Sequence, residues 1–216
     1  MLGIKTAIST YIKAHSDMYP YRRYMCKNDC VFIHIPKAAG TSVLHALTGS
    51  TNHVQRDHCT AFNFKSADKK RFEKSFKFAF VRDPIDRLQS VHRYLLSGGN
   101  GINNKRLSSL VTADFAHFDD FVLNYLDPMR LHTEVLFKPQ FSFLCNEYYE
   151  LMVDFVGRYE RIDQDFEVVR SKLNLKASLP RSNISKATSS SELSDNVRHR
   201  IAELYSKDFE LFDYPL

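Results

Sequence analysis

Little in this chain belongs to a secreted or membrane-bound protein. Among 216 residues there are four cysteines, Cys26, Cys30, Cys59 and Cys145. Nothing beside them signals secretion, so free thiols in a reducing compartment are expected. Cys26 and Cys30 lack a second pair at zinc-finger spacing, and no metal site is read despite nine histidines. Long apolar runs are missing too. Residues 1–24 hold only short ones, such as Ala7 and Ile8, broken by Lys5, Lys13, His15 and Asp17, so the segment reads as neither a signal peptide nor a membrane span. The spacing of Ile4, Ile8, Tyr11 and Ile12 before Pro20 instead suggests an amphipathic helix packed on the body. There is no internal repeat, no basic block and no aromatic-basic pattern, and a scattered net charge of +5 argues against a nucleic-acid partner. What remains is a 44% apolar chain able to bury a core, expected to be one domain over 1–216, with 1–29 as an N-terminal extension and 30–216 as its core.

The chain is organised around residues 30–47, CVFIHIPKAAGTSVLHAL. Residues 31–35 are β-branched and apolar, as a buried strand requires, and Pro36 ends it because proline cannot donate to a continuing ladder. Gly40 is expected to let the backbone bend. Thr41 and Ser42 suit the first turn of a helix with Val43, Leu44 and Leu47 inward, whose unpaired N–H groups point back at the turn. An anion is favoured there by those donors, by the helix dipole and by Lys37. The same residues also suit an ordinary strand-to-helix turn with its lysine in solvent.

Residues 77–96 repeat the design: a strand over 78–81, Asp83 as N-cap, Pro84 at the first helical position, and Ile85, Leu88, Val91 and Leu95 at helical spacing. Arg82 leaves the strand end and Ser90 lies about two turns into the helix. A guanidinium fork and a hydroxyl so placed suit a phosphate, although a capped helix with surface ion pairs is the plain alternative.

Between these stretches, 48–58 is polar and turn-rich and leads into Asp57-His58-Cys59-Thr60-Ala61-Phe62, read as a loop. An imidazole there titrates near neutral pH and suits a general base, with His53 as competitor and His34, at the first strand's end, as the next candidate.

Pro36-Lys37-Ala38-Ala39-Gly40-Thr41-Ser42 resembles the 5′-phosphosulfate loop of sulfotransferases that use 3′-phosphoadenylyl sulfate (PAPS). Arg82-Asp83-Pro84-x-x-Arg87-x-x-Ser90 resembles the same family's 3′-phosphate segment. Two such junctions at successive strand ends, in order, identify the chain as a member, most similar to the carbohydrate (Golgi-type) group and its bacterial relatives. The resemblance implies PAPS as co-substrate and no metal, held by Lys37, Ala38, Ala39, Gly40, Thr41, Ser42, Arg82 and Ser90. It also implies His58, in a His-x-Thr-Ala segment, as the base acting on an acceptor hydroxyl of a saccharide. Arg181, Asn183 and Lys186 fall in a loop that lies near the nucleotide in relatives, or in a solvated surface loop. Pro139-Gln140 is similar to a Pro-Gln pair of the family and is read as a core loop. Asp154-Phe155-Val156-Gly157-Arg158-Tyr159-Glu160 is similar to another family segment. Golgi members carry a membrane anchor and often disulfides; the lack of both here suggests a cytoplasmic, bacterial enzyme.

Strands alternating with helices predict an α/β fold with a mainly parallel sheet flanked by helices, and ligand beyond the strands' carboxyl ends. Further expectations are a mobile loop over 97–110, a helix over 115–126, a strand over 153–160, a helix over 161–173, and a last helix capped by Ser194 before a docked tail of Phe209, Phe212 and Tyr214. Two rivals stand beside the transferase: an ATP- and magnesium-dependent P-loop kinase, which lacks its Gly-Lys-Ser/Thr order here, and a non-catalytic nucleotide binder.

Overall fold

The computed structural model describes residues 19–50, 56–101, 104–180 and 193–216. The helical pattern read within 1–18 lies outside them. At the centre is a three-stranded parallel sheet of β1 (Cys30–Ile33), β2 (Phe76–Val81) and β3 (Phe155–Arg158), in that spatial order. Every residue of β1 and the last four of β2 are buried. Strands hidden on both faces read as continuous apolar runs, which is why they were visible without alternation.

Parallel neighbours need crossovers, and the helices supply them. Arg23–Lys27 (α1) precedes β1; Gly40–Thr48 (α2), Ala61–Ala67 (α3) and Lys69–Lys74 (α4) join β1 to β2. Pro84–Leu96 (α5), Lys105–Asp114 (α6), Pro128–Thr133 (α7) and Phe141–Leu144 (α8) join β2 to β3. Ile162–Lys172 (α9), Asp195–Leu204 (α10) and Ser206–Leu211 (α11) follow. The stripe Ile85, Leu88, Val91 and Leu95 of α5 is buried with Val43, Leu44 and Leu47 of α2 in one hydrophobic core. Ile33 of β1 pairs with Ala79 of β2, and Val81 of β2 with Arg158 of β3. The turns after β1 and β2 therefore open at one edge of the sheet, where ligands of such sheets sit.

The segment 154–160 is a latch onto β2. Asp154 accepts from the Lys77 N–H at 2.8 Å and pairs with its ammonium at 2.9 Å. A Cβ at Gly157 would lie 2.4 Å from the Phe80 ring, so only glycine fits against it. Glu160 accepts from the Asp83 N–H at 2.8 Å.

Several expectations need correction. The loop read over 97–110 ends at residue 104: Lys105–Asp114 is a helix, with Val111 buried and the Ser108 hydroxyl bonded to the Leu95 carbonyl. The polar run at 103–106 hid an apolar face that begins only at Leu107. The helix read over 115–126 is a single turn, Phe118–Asp120, that widens into a π-helical turn, Phe121–Tyr125. Pro128 then opens a new helix rather than merely ending one. Ala61 and Phe62 are not loop but the start of α3, capped reciprocally by Thr60 and Asn63. The third strand is shorter than 153–160, because residues from Tyr159 turn into a 3-10 helix. Ser194 holds the N-cap position of α10, but its hydroxyl bonds Asp119 at 3.3 Å instead of the helix. Phe209, Phe212 and Tyr214 are buried as expected, and all four cysteines are free thiols.

Candidate active site

The turn after β1 takes its shape from backbone geometry unusual for side-chain-bearing residues. Lys37 and Ala39 both have φ of 65°, while Gly40, expected to supply the bend, does not. Left-handed residues alternating with ordinary ones turn successive N–H groups to one side, an arrangement that cradles anions. Strained conformations of this kind cost about 1–3 kcal/mol each and gather at functional sites. Gly40 serves another purpose: a Cβ there would lie 1.8 Å from His34 Nε2, so the His34 ring occupies the space a side chain would need.

His34 is buried beneath the turn, and its Nδ1 has no hydrogen-bond partner. Burial, with the charges of His58 and Arg56 nearby, holds it well below the imidazole range. With Nε2 jammed on Gly40 and Nδ1 enclosed, its ring is badly placed to collect a substrate proton. Its backbone does more. His58 Nδ1 lies 2.9 Å from the His34 carbonyl, and the two rings are 4.6 Å apart. A carbonyl only accepts, so neutral His58 carries its proton on Nδ1 and keeps a lone pair on Nε2. Burial lowers its pKa, the carbonyl bond raises it, and Arg56 lowers it further. His58 also lines an open cleft of about 540 Å³ together with Tyr19, Arg56, Asp57 and Asn63. Asp57 is paired with Arg22, which donates through Nε at 2.6 Å.

At the end of β2, Arg82 is 2% exposed and lies 4.1 Å from the centre of the Tyr159 ring. Its nearest carboxylate, Asp86, is 4.0 Å from Nη2, and its Nε has no partner. Asp83 caps α5 by accepting from the Asp86 N–H at 2.9 Å, and burial raises its pKa. Ser90 is buried on α5. Sequence reasoning passed over the residue that holds this turn: Gln140 bonds both the N–H and the carbonyl of Arg82. The Pro-Gln pair was its only sequence signal.

The two turns converge electrostatically. Lys37 lies 4.6 Å from the centre of the Tyr94 ring, and its pKa is lowered by burial and then by Arg82, Arg56 and Arg93. Arg56 also donates to the Thr41 hydroxyl at 3.5 Å. Several cations around a half-buried lysine, together with an unpartnered buried guanidinium nitrogen, make a site short of negative charge. A polyanionic donor fits it. Thus Lys37, Thr41 and Arg82 are brought together, with His58 beside the same turn through His34. His53, Arg181, Asn183 and Lys186 lie outside the described residues, among which no cluster of His, Cys, Asp or Glu is arranged for a metal ion and no helix is long and apolar enough to cross a membrane.

A parallel α/β sheet with two turns suited to anions at adjacent strand ends is the architecture of a nucleotide- or phosphate-binding protein. The sequence model of the sulfotransferase family matches residues 23–215, and the chain belongs to that family. It is therefore an enzyme that moves a sulfuryl group to an acceptor hydroxyl. A comparison with curated proteins finds no match.

Proposed function

We propose that the donor is PAPS, that the acceptor is a hydroxyl of a saccharide, and that His58 is the general base. The observation that carries this reading is the 2.9 Å bond from His58 Nδ1 to the His34 carbonyl, which reserves Nε2 for a proton. The acceptor oxygen attacks sulfur, its proton passes to His58 Nε2, and the sulfur–oxygen bond to the 5′-phosphate breaks, releasing adenosine 3′,5′-bisphosphate. Catalysis of this kind rests on positioning and on stabilising charge at the leaving oxygen. Lys37 and the N–H groups of residues 38–41 face that oxygen, the Ser42 N–H being bonded to the Ala39 carbonyl at 3.1 Å, and Arg82 with Ser90 takes the 3′-phosphate. Arg181 and Lys186 complete the donor contacts, and residues 30–216 act as one catalytic core. Asp83, the one strand-end acid that could be mistaken for a magnesium ligand, caps α5 through Oδ1, and the loop lacks the Gly-Lys-Ser/Thr order of an ATP site.

The test is transfer of radiolabelled sulfate from PAPS across a panel of saccharides, lipid headgroups and tyrosine peptides. Calorimetry of adenosine 3′,5′-bisphosphate against ADP, with and without magnesium, accompanies it. Label on a saccharide and magnesium-independent preference for the bisphosphate are expected. Preference for ADP with magnesium would instead make the chain a nucleotide-triphosphate enzyme on this fold.

A further inference from the structure

The side-chain amide of Gln140 closes a two-bond ring with the backbone of Arg82. Its Oε1 accepts from the Arg82 N–H at 2.9 Å, and its Nε2 donates to the Arg82 carbonyl at 2.8 Å. The amide thus continues the β ladder one residue beyond Val81, using a side chain in place of a further strand. Gln140 is 0% exposed. It is itself gripped: the carboxylate of Asp208 in α11 accepts from the N–H groups of Gln140 and Phe141, each at 2.8 Å. Arg87 of α5 donates to the Lys138 carbonyl at 2.9 Å, and the Tyr205 hydroxyl to the Phe137 carbonyl at 2.7 Å.

A buried polar network of this density is costly unless nearly every group is satisfied, and ending a strand does not require one. What it achieves is a fixed origin for one side chain. The Arg82 guanidinium departs from a clamped backbone, lies over Tyr159, and still has an unpartnered Nε.

We infer that Gln140 is the positioning residue of the donor site: by clamping the Arg82 backbone it aims the guanidinium at the donor's 3′-phosphate and so sets the preference for 3′-phosphorylated nucleotides. This rests on the reading of Arg82 as the 3′-phosphate ligand. The role needs one donor and one acceptor in the geometry of an amide. Leucine supplies neither. Glutamate supplies both only while protonated, when its O–H donates to the Arg82 carbonyl.

The test compares dissociation constants of adenosine 3′,5′-bisphosphate and adenosine 5′-monophosphate, by calorimetry, for the wild-type chain, Gln140→Leu and Gln140→Glu. In Gln140→Leu the ratio of the two constants is expected to shrink by about tenfold, the worth of a lost charge-assisted bond. The KM for the donor should rise with kcat at saturation nearly kept. In Gln140→Glu, whose carboxyl would replace the amide between the Arg82 backbone and Asp208, the latter in turn acted on by Arg87, the ratio relative to wild type should be near normal in acid and fall as pH rises. A folded Gln140→Leu that keeps the wild-type ratio overturns the assignment. Should Gln140→Leu not fold, Gln140→Glu decides alone: a ratio that follows the wild type at every pH, or is lowered equally at every pH, overturns it. A wild-type chain with no preference for the bisphosphate would instead remove the reading of Arg82 on which the inference rests.

Discussion

In the proposed mechanism Lys37 acts on the leaving oxygen and His58 on the attacking one, so their removal should be distinguishable in kinetics. Charge builds on the leaving oxygen only as the sulfur–oxygen bond breaks, and a lysine that meets it there contributes more to turnover than to binding. Lys37→Ala should lower kcat strongly while raising the dissociation constant for adenosine 3′,5′-bisphosphate only modestly. Normal kcat with a raised KM would reduce Lys37 to an anchor for the bound donor. On the same reading His58 acts on the acceptor. His58→Asn is the informative change, since its amide N–H can still donate to the His34 carbonyl while offering no imidazole. It should cut kcat by about 10²- to 10⁴-fold, the usual worth of a positioned base, and leave bisphosphate affinity unchanged. Burial and Arg56 together displace the His58 pKa downward against the opposing carbonyl bond. The acid limb of the wild-type rate should therefore fall below the ordinary imidazole value of about 6.5, with a plateau at neutral pH. The limb should be absent in the variant, and a limb that persists there would place the base elsewhere.

At the scale of elements, the two strand–turn–helix units were legible because each is written within one short run of residues. Apolar strand, proline or N-cap, and helical stripe follow one another in β1–α2 and β2–α5, and the structure has them to within two residues, the first strand ending at Ile33 rather than at residue 35 and the second beginning at Phe76 rather than at residue 78. What could not be read was why Gly40 is glycine. Its neighbours Lys37 and Ala39 take the left-handed turn, and Gly40 makes room for a ring that enters from the end of β1. No local pattern announces such a close approach. The same holds for Gln140 and Asp208, whose bond joins residues 68 apart. It holds too for α6, where a polar run masked a helix that packs against α5. The contact at Gly40 gives a direct test. Gly40→Ala should destabilise the fold by about 1–3 kcal/mol, as overpacking does, and should depress turnover because the displaced His34 ring lies 4.6 Å from His58. In a His34→Ala background the space is free, and Gly40→Ala should then cost little. Urea titrations of the two single variants and the double variant close the cycle; equal costs in both backgrounds would mean that His34 is not what glycine avoids.

Across the whole molecule, titration couples the site to the body that carries it. His34, His58 and His92 all have lowered pKa values, in each case through burial first. Protonating such a group penalises the folded chain and not the unfolded one, so the unfolded chain takes up protons first once pH drops below about 6.5. Stability held above that value is lost as pH falls toward the lowered folded values. Asp83 and Asp208 act with the opposite sign, because burial raises their pKa values and their contribution is lost as pH rises through them. The net curve therefore does not reveal which group is responsible, and His92 offers a way to isolate one. It lies on α5, the helix that starts at Arg82's turn, with Arg93 and His117 as the charges that act on it. Its Nε2 lies 2.9 Å from the Phe115 carbonyl and so carries the proton, and its ring packs edge-on to Phe118 and tilted against Phe121. Glutamine can donate to that carbonyl in the same direction but does not titrate. His92→Gln should thus lower stability at neutral pH through lost ring packing, yet lose less on acidification than the wild type. Urea midpoints measured from about pH 7.5 down to pH 5 would show the two curves converging. Parallel curves would mean that His92 protonates as readily in the folded chain as in the unfolded one, and that the acid sensitivity arises from other groups.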